Sequence, residues 1–235
     1  METDLPIAEI FSSIQGEGQW VGTPMLFVRL AGCNVGKPAR ALKITDPFPI
    51  LPTGKEASVC TSWDGRSFPC DTDYGMKFKA TPQTIMGMLE DSGENHICIT
   101  GGEPLLHHVQ IENLFALANR ADVMVHIETS GTIRPQPLGT FKKLLLPGYW
   151  ITCSPKINAL DEMIIRADEL KLLVDEGFNE SRLTPAMSSH KNVFVCPINN
   201  ISEVKHDNVE RCLQLLKSHP NWRLSVQLHK FFGWR

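Results

Sequence analysis

Short apolar runs recur along this chain, each passing into small, polar or charged residues, with helical patterns between them. The runs "MLFVRL" (25–30), "HICIT" (96–100), "VMVHIE" (123–128), "WITCS" (150–154), "ELKLLV" (169–174), "VFVCP" (193–197) and "RLSVQL" (223–228) predict strands. Their near-continuous apolar content suits strands covered on both faces, as in a parallel sheet. Helices are predicted over 82–91, where Pro82 follows Thr81, and over 108–120, 136–146 and 202–218. In the last of these Val209, Cys212, Leu213 and Leu216 share a face, Ser202 stands at a capping position and Pro220 follows the end. Strand and helix in alternation predict an α/β sheet with right-handed crossovers.

Residues 34–80 break this rhythm. They are rich in Pro, Gly, Lys and Asp and carry no clear strand or helix. Structureless stretches of that length tend to be functional or disordered. The chain has 235 residues, 42% of them hydrophobic, enough for one core with no forced split. A net charge of −3 gives no basic field for nucleic acid or anionic membrane. The acidic opening "METDLP" is unlike a signal peptide, and no apolar run approaches the roughly 20 residues of a membrane span. A cytoplasmic protein with neither nucleic-acid nor membrane partners is expected.

Polar groups collect where the strands end. "HICIT" runs into Gly101-Gly102-Glu103-Pro104, "VMVHIE" into Thr129-Ser130-Gly131-Thr132 and "WITCS" into Pro155-Lys156. "VFVCP" runs into Ile198-Asn199-Asn200, and "RLSVQL" into His229-Lys230. In parallel α/β folds the carboxyl edge of the sheet gathers ligands and catalytic groups, so these handovers point to one site. Gly101-Gly102 is either an ordinary turn or a place where backbone approaches a ligand closely. Glu128, ending a buried strand, needs hydrogen bonds from ligand or protein.

Seven cysteines cannot form a complete disulfide framework, and reduced thiols are expected. Cys98, Cys153, Cys196 and Cys212 sit in apolar runs or on a helix and read as small buried hydrophobes. Cys33, Cys60 and Cys70 have Gly, Pro, Asp and Thr as neighbours instead. Three thiolates can hold three irons of a 4Fe–4S cluster and leave the fourth open, whereas structural zinc normally takes a fourth Cys or His. With 26 and nine intervening residues and no C-x2-C pair, cluster, zinc and no metal all stand open on spacing.

The surroundings carry a resemblance. "EIFSSIQGEGQWVGTPMLFVRLAGCN", "CDTDY" at 70–74, "ITGGEPLL", "HIETSGT", "SPK" and "QLHKFFGWR" are similar, in order and spacing, to the 7-carboxy-7-deazaguanine synthases. These are radical S-adenosylmethionine enzymes of the 7-deazapurine (queuosine) pathway. The resemblance spans essentially the whole chain. It implies one α/β domain over 1–235, an incomplete (β/α)6-type barrel of the radical S-adenosylmethionine type, with 34–80 an enlarged cluster-binding loop. It implies conversion of 6-carboxy-5,6,7,8-tetrahydropterin to 7-carboxy-7-deazaguanine with loss of ammonia. Implied cofactors are a 4Fe–4S cluster, S-adenosylmethionine and Mg2+, and implied partners are a flavodoxin-type or other low-potential reductant and a second copy in a homodimer.

Residue roles follow by position. Cys33 and Cys70 match cluster ligands. Ser67 stands where a middle cysteine would complete C-x2-C, so Cys60, the cysteine left between the other two, is assigned as the third ligand. Thr72 matches a magnesium position, with Asp71 and Asp73 beside it able to supply oxygen. Gly102, Ser154, Pro155, Lys156, Cys196, Pro197, Ile198 and Asn199 match contacts to S-adenosylmethionine, although the family carries Gln where Cys196 stands. Ile14, Gln15, Gly16, Arg29, Thr100 and Arg235 match pterin-binding positions, Arg29 offering a fork to a carboxylate. Two rival readings are an activator of glycyl-radical enzymes and a non-catalytic metal-binding module.

Overall fold

The computed structural model of the chain describes residues 4–43, 49–134, 148–201 and 203–233. Among the described residues twelve strands form two sheets. They are β1 (Leu5–Ile14), β2 (Pro24–Leu30), β3 (Lys37–Pro38), β4 (Ser58–Thr61), β5 (Ser67–Cys70), β6 (Phe78–Ala80), β7 (His96–Gly101), β8 (Met124–Thr129), β9 (Tyr149–Cys153), β10 (Glu169–Val174), β11 (Val193–Pro197) and β12 (Arg223–Leu224). Among the described residues six α-helices accompany them: α1 (Pro82–Ser92), α2 (His108–Arg120), α3 (Asp161–Arg166), α4 (Pro185–Ser188), α5 (His206–Ser218) and α6 (Leu228–Phe232).

The large sheet has the order β12-β11-β10-β9-β8-β7-β2-β1-β6. From β2 to β12 every neighbouring pair is parallel, while β1 and β6 add an antiparallel edge. The predicted strands are all present, but "RLSVQL" is strand only at Arg223–Leu224 and turns into α6 from Leu228. Ser225 explains the early end. Its backbone N–H still reaches Val195 O at 2.9 Å, while its hydroxyl accepts from Gly18 N at 3.0 Å, and the chain then leaves the sheet, with Leu228 N donating to Gly16 O at 3.4 Å. The predicted helix at 136–146 and the Ser202 cap fall outside the described residues, and α5 starts at His206, not 202. β1 was absent from the predicted strands because Pro6, Glu9 and the serine pair break its apolar run.

The stretch 34–80 is not structureless. It holds a three-stranded antiparallel sheet, β3-β4-β5, followed by β6. Helix α1 begins as its sequence demands, with Thr81 Oγ1 accepting from Thr84 N at 3.0 Å and Pro82 in the first turn.

Alternation along the parallel strands sorts the side chains into two faces. One row, Val28, Ile99, Ile127, Leu172 and Val195, joins the helices' Ile85, Leu89, Ile111, Leu114, Ile164 and Leu215 in the main core. Each such side chain contributes about 1.5–3 kcal/mol by leaving water. The other face begins apolar, with Met25, Phe27 and Cys98 packed against Phe11 and Trp20. One pleat further toward the carboxyl ends the same face carries Arg29, Thr100, Glu128, Thr152, Lys171 and Cys196, and every one of these lines a single cavity.

Candidate functional site

That cavity has a volume of about 550 Å³, and the small sheet, the residues after β1 and the segment around α6 contribute to its lining. Its floor is polar. Glu128 accepts from Gln15 Nε2 and from Thr100 Oγ1, each at 3.1 Å, so neither carboxylate oxygen is orphaned. Arg29 Nε lies 3.5 Å from Glu9, and its Nη1 donates to Thr72 Oγ1 at 3.2 Å. A hydroxyl oxygen has two lone pairs, so Thr72 keeps one for another partner. Asp71 pairs with Lys230 at 2.9 Å and Asp73 with Lys55 at 3.1 Å. Burial pushes the Asp71 carboxyl up, but Lys230, His229 and Arg29 outweigh it and hold the group below its ordinary value.

A further ion pair is more fully buried. Lys171 Nζ contacts Glu17 Oε2, with only 9% of the lysine side chain and 13% of the glutamate's exposed. Burial raises the Glu17 carboxyl, yet Lys171 prevails and keeps it below its ordinary value. Burial acts on Lys171 in the opposite sense, and Glu17 with Glu128 hold its ammonium well above the ordinary lysine range. Gly18, next to Glu17, has φ +71, and a Cβ there would stand 2.2 Å from Glu169 Oε1, which accounts for a glycine in "IQGEG".

The three singled-out cysteines reach the same cavity from separate places. Cys33 follows β2, and the backbone amides of Val35 and Gly36 point at its Sγ from 3.4 and 3.3 Å. Cys60 and Cys70 lie on the β4–β5 hairpin, where Ser58 pairs with Cys70 and Cys60 with Phe68. Directly opposed residues share a face, and so do residues two apart, so Cys60 and Cys70 project to one side. Ser67 pairs with Thr61 on the other side, is exposed and does not line the cavity. All seven thiols are free. Burial pushes Cys70 up to about 12, with Asp71, Cys60 and Cys33 adding to it. Burial also raises Cys60, with Lys156 pulling down and Cys33 pushing up.

Among the described residues no three His, Cys, Asp or Glu side chains converge as they would on a single ion. Thiolates that each hold a different iron of one cluster stand further apart than ligands of one ion. A set of three free thiols around one cavity, with amides aimed at one sulfur, fits a cluster.

Beside Cys33 the backbone packs without room to spare. A Cβ on Gly102 would lie 2.1 Å from Gly32 O and 2.6 Å from Cys33 Cβ. The next residue, Glu103, is fully buried and accepts from Leu105 N at 3.0 Å, Thr129 Oγ1 at 2.8 Å and Ser130 N at 2.8 Å, as well as from the Ser130 hydroxyl. The "GGEP" and "TSG" motifs are thus one hydrogen-bonded unit. Lys156 Nζ donates to Ser154 O and Oγ at 2.9 and 2.8 Å, and Asn199 bonds Gln227 and the amide of Lys205.

No protein-family model matches the chain. The 7-carboxy-7-deazaguanine synthase of Buchnera aphidicola subsp. Schizaphis graminum is 32% identical, covering 96% of this chain and 97% of that protein. The enzyme of the same name from Burkholderia multivorans is 31% identical, with 97% of each chain covered. The chain belongs to the 7-carboxy-7-deazaguanine synthase family. The crystal structure of QueE from Escherichia coli, 24% identical, shares the fold with a TM-score of 0.67 over 95% of this chain and 94% of that one.

Of the positions matched to this family in the sequence, Cys33, Cys60, Cys70, Thr72, Gly102, Ser154, Lys156, Cys196, Pro197, Ile198, Asn199, Ile14, Gln15, Gly16, Arg29 and Thr100 all line the cavity. Pro155 is not in its lining, and Arg235 falls outside the described residues. The sequence reading missed Glu17, Lys171 and Gln227 as site residues, and placed His229 and Lys230 at the polar strand ends without giving them a role. Lys171 carried a usable signal, a lysine in the middle of an apolar strand where no unpaired charge can rest. Among the described residues no helix is long and apolar enough to cross a membrane.

Proposed function

We propose that this family member converts 6-carboxy-5,6,7,8-tetrahydropterin to 7-carboxy-7-deazaguanine with loss of ammonia, inside the cavity of about 550 Å³. The observation that carries the reading is the convergence of Cys33, Cys60 and Cys70 on the same cavity as the polar floor. When bound, a 4Fe–4S cluster with S-adenosylmethionine supplies the electron and the radical that begin the ring contraction.

The chain's own residues do the holding. Cys33, Cys60 and Cys70 ligate the cluster, and Val35 and Gly36 amides stabilise the Cys33 thiolate. Gly102, Ser154, Pro155, Lys156 and the 196–199 segment form the S-adenosylmethionine side. Glu128 and Gln15 offer an acceptor beside a donor, suited to the amide-like edge of a pterin, with Thr100 fixing the carboxylate. Arg29 faces the substrate carboxylate. Thr72 supplies an oxygen to Mg2+, which takes few protein ligands and completes its shell with water and substrate. The sheet is read as an incomplete barrel in one domain, the enzyme as a homodimer, and the electron donor as a flavodoxin-type or other low-potential protein.

The test is anaerobic reconstitution followed by incubation with the carboxytetrahydropterin and S-adenosylmethionine. A deazaguanine chromophore and ammonia in equal amounts are expected, and neither product forming with a full cluster present would refute the function. Iron counting on Cys60→Ala and Ser67→Ala tests the ligand set: the first loses the cluster and the second keeps it. A full cluster in Cys60→Ala would remove Cys60 from the site.

A further inference from the structure

The nine residues between Cys60 and Cys70 do more than close a turn. The strands β4 and β5 are connected through Ser62–Arg66, where Ser62 N donates to Arg66 O at 2.9 Å and Gly65 N to Ser62 O at 3.0 Å. Arg66 then reaches away from its own hairpin. Its Nε donates to Asp64 at 2.7 Å, its Nη1 to Asp175 at 2.5 Å and its Nη2 to Leu173 O at 2.8 Å, with 13% of the side chain exposed. Asp175 follows β10, and Leu173 lies within it, so one guanidinium spans two parts of the fold more than a hundred positions apart. Phe178 lies beneath the guanidinium at 5.5 Å and packs edge-on against Trp63. Asp64 is itself held by Ser62 Oγ at 2.5 Å, and its backbone carbonyl accepts from Arg182.

The same hairpin touches the other candidate cofactor segment. Ser62 makes a bridge with Lys156, and Ile157 N donates to Thr61 O at 2.9 Å. The hairpin is short, and only the two-residue β3 extends it, so this small sheet is marginal in water on its own. Its place over the cavity depends on what its tip is fastened to.

We propose that Arg66 is a positioning residue for the cluster. Its guanidinium fastens the tip of the Cys60–Cys70 hairpin to the carboxyl end of β10, which fixes where the two sulfurs stand relative to Cys33 and to Ser154–Lys156. The planar fork satisfies three acceptors at once, which a lysine ammonium on a flexible stem does not reproduce. The proposal rests on the reading that Cys60 is a cluster ligand.

Full-length Arg66→Gln, Arg66→Lys, Cys60→Ala and, as a remote guanidinium control, Arg223→Gln are reconstituted without oxygen. Iron release to a ferrous chelator is timed with dithionite present, and amide exchange is measured on the iron-free proteins. Losing two or more bonds to charged or carbonyl partners predicts release from Arg66→Gln at least about tenfold faster than wild type, with Arg66→Lys between them. Exchange should rise within 58–70 while α1 and α5 keep their protection, and Arg223→Gln should release iron at the wild-type rate. A release rate within about twofold of wild type, or protection lost equally from α1 and α5, overturns the positioning role. Should Arg66→Gln fail to fold because Asp64 is left unpaired, Asp175→Asn cuts the tie to β10 alone and is read in the same way. A full cluster in Cys60→Ala instead overturns the ligand assignment, whatever Arg66 does.

Discussion

Replacing Lys171 by Met tests whether the buried pair at the cavity floor holds the fold as the structure implies. With 9% and 13% of the two side chains exposed, Glu17 would be left as a carboxylate with no cation and little water. Breaking one partner of a buried pair costs about 3–5 kcal/mol, far above the 0–1 kcal/mol of a surface pair. At about 2–4 °C per kcal/mol for a chain of this size, Tm should fall by about 6–20 °C. The double variant Glu17→Gln, Lys171→Met removes both charges, and should recover to within about 1.5 kcal/mol of wild type, because a neutral replacement leaves no unpaired charge. The assay is urea denaturation of the iron-free protein, followed by far-UV circular dichroism.

The pH dependence has a definite sign. Glu17 is held below its ordinary 4.5, so its contribution is complete above that pH and is lost as pH falls through the folded value. Lys171 is held above its ordinary 10.5, so its contribution is complete below that pH and is lost as pH rises through the folded value. The gap between wild type and Lys171→Met should therefore be widest near neutrality and narrow below about pH 4.5. There, Glu17 takes a proton, which unburdens the variant and strips wild-type Lys171 of its partner. A cost below about 1 kcal/mol, or a gap that stays constant into acid, would show that the pair is solvated and carries no such weight.

Two further outcomes follow from single contacts. Arg29→Lys keeps the charge but loses the fork that spans Glu9 and Thr72, so KM for the pterin should rise about tenfold while uncoupled S-adenosylmethionine cleavage is unchanged; equal losses in both would make Arg29 a fold residue. Gly102→Ala would put a Cβ 2.1 Å from Gly32 O, so the backbone that carries Cys33 must move, and iron content after reconstitution should drop; wild-type iron would mean that the turn yields freely.

How much of this was legible before the structure depends on which interactions are local. Parallel strands announce themselves because both faces are covered and apolar content is continuous, and β7, β8, β10 and β11 fall within a residue of their predicted bounds. The start of α1 was written in Thr81-Pro82. β1 was not legible, since an edge strand with Glu9, Ser12 and Ser13 owes its pairing to β2 and β6 and not to its own pattern. "RLSVQL" misled because Ser225 still bonds Val195 O through its N–H but anchors its hydroxyl to Gly18, a partner 207 positions away, and the chain is helical from Leu228. The charge pairs Glu17–Lys171 and Asp71–Lys230 were hidden for the same reason: no spacing rule links residues 154 or more positions apart.

Cys60, the proposed middle cluster ligand, shows which rule separates it from Ser67. A search for C-x2-C looks for a tight turn, and this chain has none. A hairpin obeys a different constraint, in which residues an even number of positions apart, read across the turn, return to one face. The pairs Ser58–Cys70 and Cys60–Phe68 put Cys60 and Cys70 on the cavity side, whereas Thr61–Ser67 puts Ser67 on the far side. Position 67, where sequence spacing would look first, is thus one pleat out of phase, and a cysteine introduced there would face away from the other two. On the proposed ligand set, strand geometry stands in for turn geometry, and a hairpin calls for a fastening such as the one proposed at Arg66 where a tight turn would not.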